Sequence, residues 1–364
     1  MNTKYLLIGD HRLCENYGSF ATCDQLVELL RPRRLSIIPV TRMDQDYAYM
    51  PLNFDEFDEY ALLVNNGSVL KMEKRSIDSC DKVIINAEGS LTNHTNAMQC
   101  NGEYRARTRY LLFLAYYAKK FCGKEVSIIN HCIDPNNSKA EEMIKKIYPL
   151  LDRCWVRDHL SIKKLEKLNI NSAKFVPDCL YNYQHLDNLN EKKKYICISD
   201  NATIGYAKWD YVKFYKSLIT KLQNLGHEII FLDGNMWKAT ELFQEMCLEL
   251  NIKWIHFDNT SYIELAKLLK SSKVLFSGRW HASILATICG TPSVLFSTDS
   301  FKTRALHEDL NIQGSFYEQD DLQYNLDEIA SLLVSIKIPE YKLINFAKEK
   351  RNNLIESYKS LKML

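Results

Sequence analysis

The sequence predicts an α/β protein of two domains, each built on its own parallel sheet, and three observations carry that prediction. Short apolar, β-favouring runs alternate with amphipathic stretches of helical period along both halves. Strands that alternate with helices pair in parallel, because each crossover needs its own helix. The alternation is broken once, by the polar segment HLDNLNEKKK at 185–194, which reads as a linker. With 364 residues, 46% hydrophobic and 25% charged, the chain is long enough for two cores.

In the first half the strand-like runs lie at 5–8, 35–40, 83–87, 126–130, 154–156 and 174–176. Helical periodicity is clearest at 20–30 and 105–121. Together they define a domain over 1–184. After the linker, strands at 195–199, 228–232 and 254–257 alternate with helices at 209–225, 238–250 and 263–271. The segment SGRWHASILATICGTPSVLF, 277–296, completes the series. Val274, Leu275 and Phe276 end a strand, and Ala282, Ile284, Leu285, Ala286 and Ile288 recur at helical spacing. Gly290 and Pro292 then stop the helix before a strand at 293–296. This second domain covers 195–335, and 336–364 holds a long helix at 339–361 that is expected to brace the two domains. Both halves thus read as Rossmann-like domains facing across a cleft, lined by the loops that follow the strands.

Lys and Arg number 47 against 45 Asp and Glu, so no global field selects nucleic acid or an anionic membrane. No apolar run approaches ~20 residues, which excludes a spanning helix. Eleven scattered cysteines, with no CxxC and no signal peptide in MNTKYLLIGD, read as reduced thiols of a cytoplasmic protein. The basic stretch RPRR, 31–34, leaves contact with the inner face of a membrane open, although it follows a helix and reads more simply as its solvated end. MDQD, 43–46, has the form of a metal clamp without the context one needs, so no metal or other cofactor is expected.

The candidate site residues follow the strands. Asn16, Tyr17, Gly18 and Ser19 precede the first helix; Gly18 permits close backbone approach and Ser19 is a competent N-cap, so a phosphate or sugar oxygen fits there as well as a plain loop does. NAEGSLTNH, 86–94, sets Glu88, Gly89, Ser90 and His94 after a buried strand. A glutamate there is a general base, a partner for sugar hydroxyls, or a helix-dipole partner. WVRDHLS, 155–161, places Arg157 and Asp158 exposed at a turn, with Ser161 as N-cap of the next helix. Asp178, in VPDCLYN, either orients Arg157 or accepts from a substrate hydroxyl. A cap near Thr260 or Ser261 brings Tyr262 toward the cleft, where packing is its simplest role. Arg279 and His281 fall on the turn that opens a helix, where backbone N–H groups and the helix dipole favour an anion. Asp299, Lys302 and Arg304 follow the last strand, and Lys302 supplies a flexible cation for the same anion.

These segments, in this order, resemble the polysaccharide pyruvyl transferase family. Asn-Tyr-Gly-Ser looks like its amino-terminal loop, NAEGSL like its glycine-rich strand end, VRDHLS with VPD like its Arg-Asp-x-x-Ser segment, and GRWHA like its Gly-Arg-x-His-Ala element. The resemblance covers about 5–310 and implies a GT-B-like fold. It also implies transfer of a pyruvyl group from phosphoenolpyruvate onto two hydroxyls of a sugar, forming a ketal during surface-polysaccharide assembly, capsule or lipopolysaccharide. On the matching positions the resemblance implies that Arg157, Arg279 and His281 bind phosphoenolpyruvate; by its chemistry His281 can hold the phosphate or move a proton, and Glu88 or Asp178 is the candidate base for an acceptor hydroxyl on a glycan or lipid-linked glycan. Ala87, Glu88 and Ser90 depart from the run of glycines many members carry. An Arg/His anion site with a glutamate also suits an inverting glycosyltransferase that uses a nucleotide-activated sugar, CMP-linked ones included. A non-catalytic glycan-binding subunit is the third reading.

Overall fold

The structure is a computed structural model that describes residues 3–13, 17–31, 34–39, 50–51, 53–89, 91, 106–134, 138–184, 193–201, 203–234, 238–256, 259–298, 300–311 and 316–362. Two compact units emerge: Met1–Cys14, Thr22–Cys179 and Leu354–Leu364 form unit 1, while Glu15–Ala21 and Leu180–Asn353 form unit 2.

Unit 1 holds a six-stranded, all-parallel sheet in the order β2-β1-β3-β4-β5-β6. The strands are β1 (Lys4–Asp10), β2 (Arg34–Pro39), β3 (Lys82–Asn86), β4 (Glu125–His131), β5 (Arg153–Val156) and β6 (Ala173–Phe175). Its helices are α1 (Tyr17–Leu30), whose first residues group with unit 2, α2 (Phe57–Asn65), α3 (Lys71–Asp78), α4 (Ala106–Lys120), α5 (Ser138–Ile147) and α6 (His159–Lys167). Parallel strands are covered on both faces, so β1, β3 and β4 bury every residue after the first instead of alternating. Aromatic side chains of α2 and α4 cover one face, Phe57 meeting Phe113 edge-on at 5.4 Å and Tyr60 meeting it at 5.0 Å.

Unit 2 repeats the plan with five parallel strands in the order β11-β10-β7-β8-β9. These are β7 (Tyr195–Ser199), β8 (Glu228–Asp233), β9 (Lys253–His256), β10 (Ser272–Ser277) and β11 (Ser293–Leu295). Its helices are α7 (Tyr211–Asn224), α8 (Lys238–Glu249), α9 (Tyr262–Lys270), α10 (Trp280–Ile288), α11 (Lys302–Leu310), α12 (Leu326–Ser335) and most of α13 (Glu340–Lys362). Phe214, Tyr215, Phe231, Phe243 and Phe276 fill the core, with Phe231 and Phe243 4.8 Å apart. The last turns of α13 group with unit 1, where Leu354, Tyr358 and Leu361 are buried.

Both sheets reverse strand order at an interior point: between β1 and β3 in unit 1, and between β7 and β10 in unit 2. The crevice beyond the carboxyl ends of the strands at such a point is where open α/β sheets bind ligands. Three local expectations are corrected. Asp158, not Ser161, caps α6: its carboxylate accepts from the Ser161 N–H at 2.7 Å and from the Ser161 hydroxyl at 2.6 Å. Ser19 lies inside the first turn of α1 instead of preceding it. Arg157 and Asp158 are buried, not exposed, because both turn inward onto polar partners.

Candidate active site

In unit 2 the site is built from the strand ends at the switch point. Asp200 follows β7 directly, and Arg279 is the N-cap of α10, two residues past β10. Arg279 donates from Nε to Asp200 Oδ1 at 2.7 Å and from Nη2 to Oδ2 at 3.0 Å. This bidentate fork uses two of the guanidinium's five N–H donors, and the others have no protein partner among the described residues. Burial works against the charge on Arg279, and Asp200 more than offsets it, so its pKa is raised and the group is cationic at any physiological pH. Its side chain keeps 12% exposure, while Asp200 keeps none.

His281 sits in the first turn of α10, 9% exposed. Gly18 lies against its ring: a Cβ there would come within 2.3 Å of Nδ1, so only glycine lets the start of α1 close over the imidazole. Gly234 does the same for Arg279, since its Cβ would stand 2.8 Å from Cζ. Tyr17 lies near enough to Arg279 and Asp200 to feel both charges, and burial pushes its phenol pKa well up, which keeps it protonated. Tyr262 is a packing residue, its ring edge-on to Tyr183 at 5.4 Å and tilted against Phe20 at 6.2 Å, with Ser261 and Glu264 forming a capping box at the start of α9. Lys302 opens α11 beyond β11.

In unit 1 Glu88 and Gly89 follow β3 at that sheet's switch point, and Arg157 and Asp178 follow β5 and β6. Arg157 donates from Nη1 to Asp178 Oδ2 at 2.7 Å and from Nε to Cys132 Sγ at 3.2 Å, and its Nη2 lies 3.4 Å from Glu88 Oε1. Burial opposes its charge, but Cys132, Asp178 and Glu88 hold its pKa well above the ordinary arginine value. Asp178 is wholly buried, and its second oxygen accepts from Thr22 Oγ1 at 2.7 Å. Asn130 extends this network, donating to Thr22 Oγ1 at 3.2 Å and Asn86 Oδ1 at 3.1 Å and accepting from the Cys179 N–H at 3.1 Å. Glu88 is the exposed end of the cluster, its side chain 13% accessible, with a left-handed backbone at φ 46°.

Asn16, Ser90, His94 and Asp299 lie outside the described residues, as do 43–46 and part of 31–34. Among the described residues no cluster of His, Cys, Asp and Glu could hold a metal, and no helix is long and apolar enough to cross a membrane. The sequence reading missed Asp200, which carries no motif, and Thr22 and Asn130, whose side chains meet only after folding. It also missed His11, next to β1, whose ring is fully buried; burial lowers its pKa while Glu88 pulls the other way. A carboxylate directly after a strand was the available signal for Asp200, the same signal that singled out Glu88.

Solved structures of two UDP-GlcNAc 2-epimerases and of a protein bound to UDP-L-rhamnose share the fold. UDP-GlcNAc 2-epimerase from Methanocaldococcus jannaschii superposes with a TM-score of 0.58 at 12% identity, covering 97% of this chain and 99% of that one. Arabidopsis thaliana UGT89C1, solved with UDP-L-rhamnose, gives 0.58 at 11% identity, over 99% and 98%. The Neisseria meningitidis UDP-GlcNAc 2-epimerase gives 0.55 at 11%, over 98% and 100%. At such identities the likeness establishes a GT-B-like fold. No curated protein sequence matches the chain. The polysaccharide pyruvyl transferase family matches residues 16–300, from the start of α1 past β11, a span that takes in Glu88, Arg157, Asp178, Asp200, Arg279 and His281, and the chain belongs to that family.

Proposed function

We propose that the protein transfers the pyruvyl group of phosphoenolpyruvate onto two hydroxyls of a sugar unit of a surface polysaccharide or its lipid-linked precursor, releasing phosphate. The observation that carries this reading is the Arg279–His281 pair at the switch point of unit 2. There a fixed guanidinium with unused donors meets the N-terminus of α10.

The chemistry needs an anion clamp, a proton for the methylene carbon and a base for the attacking hydroxyls. Arg279 takes two oxygens of the donor's phosphate or carboxylate, and the α10 N–H groups add to it. Protonation of the methylene carbon makes a methyl group and develops an oxocarbenium at the neighbouring carbon. The first sugar hydroxyl adds there and gives up its proton. Phosphate then leaves with the C–O bonding pair, and the second hydroxyl closes the ketal, its proton balancing the departing phosphate. His281 is the proton carrier on the donor side.

Glu88 is the base we assign for the acceptor. Asp178 is fully buried with both oxygens engaged, so it holds Arg157 in place, and Arg157 in turn holds Glu88. Arg157 also keeps, by its family motif, an assignment to the donor. Glu88 stays in a left-handed conformation that costs a non-glycine residue about 1 kcal/mol, and a carboxylate kept at that cost points to a role in the chemistry.

A second reading, transfer from a nucleotide-activated sugar, has one feature in its favour. Asp233 ends β8, the place where nucleotide-binding sheets of this strand order put the carboxylate that takes a ribose hydroxyl. Asp233 is, however, buried and already accepts from the Trp254 indole N–H at 3.3 Å. Thermal-shift titration separates the two readings: phosphoenolpyruvate should stabilise the protein while CMP, UDP and GDP do not. A shift with a nucleotide alone would replace the first reading by the second.

A further inference from the structure

We propose that Asp200 is the positioning residue that turns Arg279 into a planar anion receptor, and that Asp200 and Gly234 together form a cradle shaped for a guanidinium. This rests on the anion-binding role given to Arg279 above. Three independent features build the cradle. Both oxygens of Asp200 engage one edge of the guanidinium, Nε and Nη2, at 2.7 and 3.0 Å, so that rotation about the last side-chain bond is blocked. The plane of the group lies over Gly234, where a Cβ would stand 2.8 Å from Cζ and 2.9 Å from Nε. The loop that carries Asp200 is itself pinned: its carbonyl accepts from the Gly278 N–H at 3.2 Å, and the next residue, Asn201, donates to Ser297 O at 2.9 Å and Gln319 Oε1 at 2.7 Å. The edge that remains, Nη1 with one N–H of Nη2, therefore points in one direction.

A planar group held on one edge by a carboxylate presents the other to a second oxyanion. Ligands with two coplanar or tetrahedral oxygens, carboxylate or phosphoryl, fit that edge; a single point charge does not reproduce it, so Arg279→Lys fails. Asp200 never touches the ligand on this account. It acts through Arg279, and it also offsets part of the arginine's charge, which makes geometry, not net charge, the source of affinity.

The test is chemical rescue. Arg279→Ala leaves a guanidinium-shaped space floored by Gly234 and walled by Asp200, and free guanidinium can enter it only if Asp200 is there to hold it. Phosphoenolpyruvate is titrated calorimetrically into the wild type, Arg279→Ala and Arg279→Ala/Asp200→Asn, with millimolar guanidinium chloride against the same concentration of sodium chloride. Affinity is expected to fall about 100-fold or more in Arg279→Ala, the loss of two charge-assisted hydrogen bonds. Guanidinium should recover part of it, and none in the double variant. Gly234→Ala, which displaces the group with both charges intact, should lose affinity to a similar degree while keeping its circular dichroism spectrum.

Equal recovery with and without Asp200, or an unaltered affinity in a folded Gly234→Ala, overturns the proposal. Inorganic phosphate is titrated in parallel. A wild type that takes phosphate but not phosphoenolpyruvate sinks the pyruvyl reading and leaves the cradle to be judged on phosphate. Binding of neither overturns both.

Discussion

At the scale of single residues, Glu88 separates stability from function. Its φ of 46° is a conformation that glycine adopts freely, so in Glu88→Gly a backbone gain of about 1 kcal/mol offsets the lost contact with Arg157, and stability should change by no more than about 1 kcal/mol either way. Glu88→Gly and Glu88→Gln should both abolish turnover with phosphoenolpyruvate and acceptor. Urea unfolding beside a phosphate-release assay checks this, and an active Glu88→Gln would remove Glu88 as the base. Gly18→Ala makes the complementary case: with a Cβ 2.3 Å from Nδ1, the His281 ring has to move, so phosphoenolpyruvate affinity should fall while the urea midpoint drops by the equivalent of about 1–3 kcal/mol.

His131 predicts how the fold responds to acid. It ends β4 with Nε2 2.8 Å from the Tyr148 hydroxyl, and burial, with Arg157 nearby, pushes its pKa down to about 3 from 6.5. The folded state thus favours the neutral ring. That contribution is complete above pH 6.5 and is lost as the pH falls toward 3, because the unfolded chain takes up the proton first. Between pH 6 and 5 the wild type should lose about 1.2 kcal/mol that His131→Gln does not lose, measured by urea unfolding. Parallel pH dependences in the two proteins would contradict this.

At the scale of elements, the strands were legible because parallel strands buried on both faces leave uninterrupted apolar runs, as at 83–87 and 126–130. The helix that opens with Trp280 was legible as well, since Gly290 and Pro292 punctuate its end. Helices α2, α3, α5 and α12 were not, because their apolar stripes are short and their caps carry no side-chain hydrogen bond, as at α2, α3 and α12. The candidate site was legible in outline where a motif marks its strand ends, at Arg157, Arg279 and His281. What escaped was the layer behind: Asp200, Thr22 and Asn130 are joined to it by contacts between residues far apart in sequence, such as Asp200 and Arg279, 79 positions apart. The end of α13 offers a test at this scale. Leu354 is fully buried in unit 1, beside Tyr358, whose ring meets Trp155 edge-on at 5.3 Å and whose hydroxyl lies 3.2 Å from Cys179 Sγ. Leu354→Ala should cost unit 1 about 2–5 kcal/mol, seen as faster amide exchange in β5 and β6. Unaltered exchange would show that these turns contribute little to unit 1.

At the scale of the whole molecule, two sheets of different strand order each place an arginine–carboxylate pair at the carboxyl ends of their strands, Arg157 with Asp178 buried and Arg279 with Asp200 part-buried. A fold shared with sugar-nucleotide enzymes does not choose the donor; the side chains beyond the strands do. Turnover decides the donor: phosphate release from phosphoenolpyruvate by the purified protein is followed in the presence of a mixed pool of surface-glycan acceptors, with the ketal methyl group detected by proton NMR. Phosphate and a new ketal methyl signal should appear in equal amounts, both absent in Arg279→Ala and Glu88→Gln. A protein that leaves phosphoenolpyruvate intact but consumes a nucleotide-activated sugar with the same acceptors would contradict pyruvyl transfer.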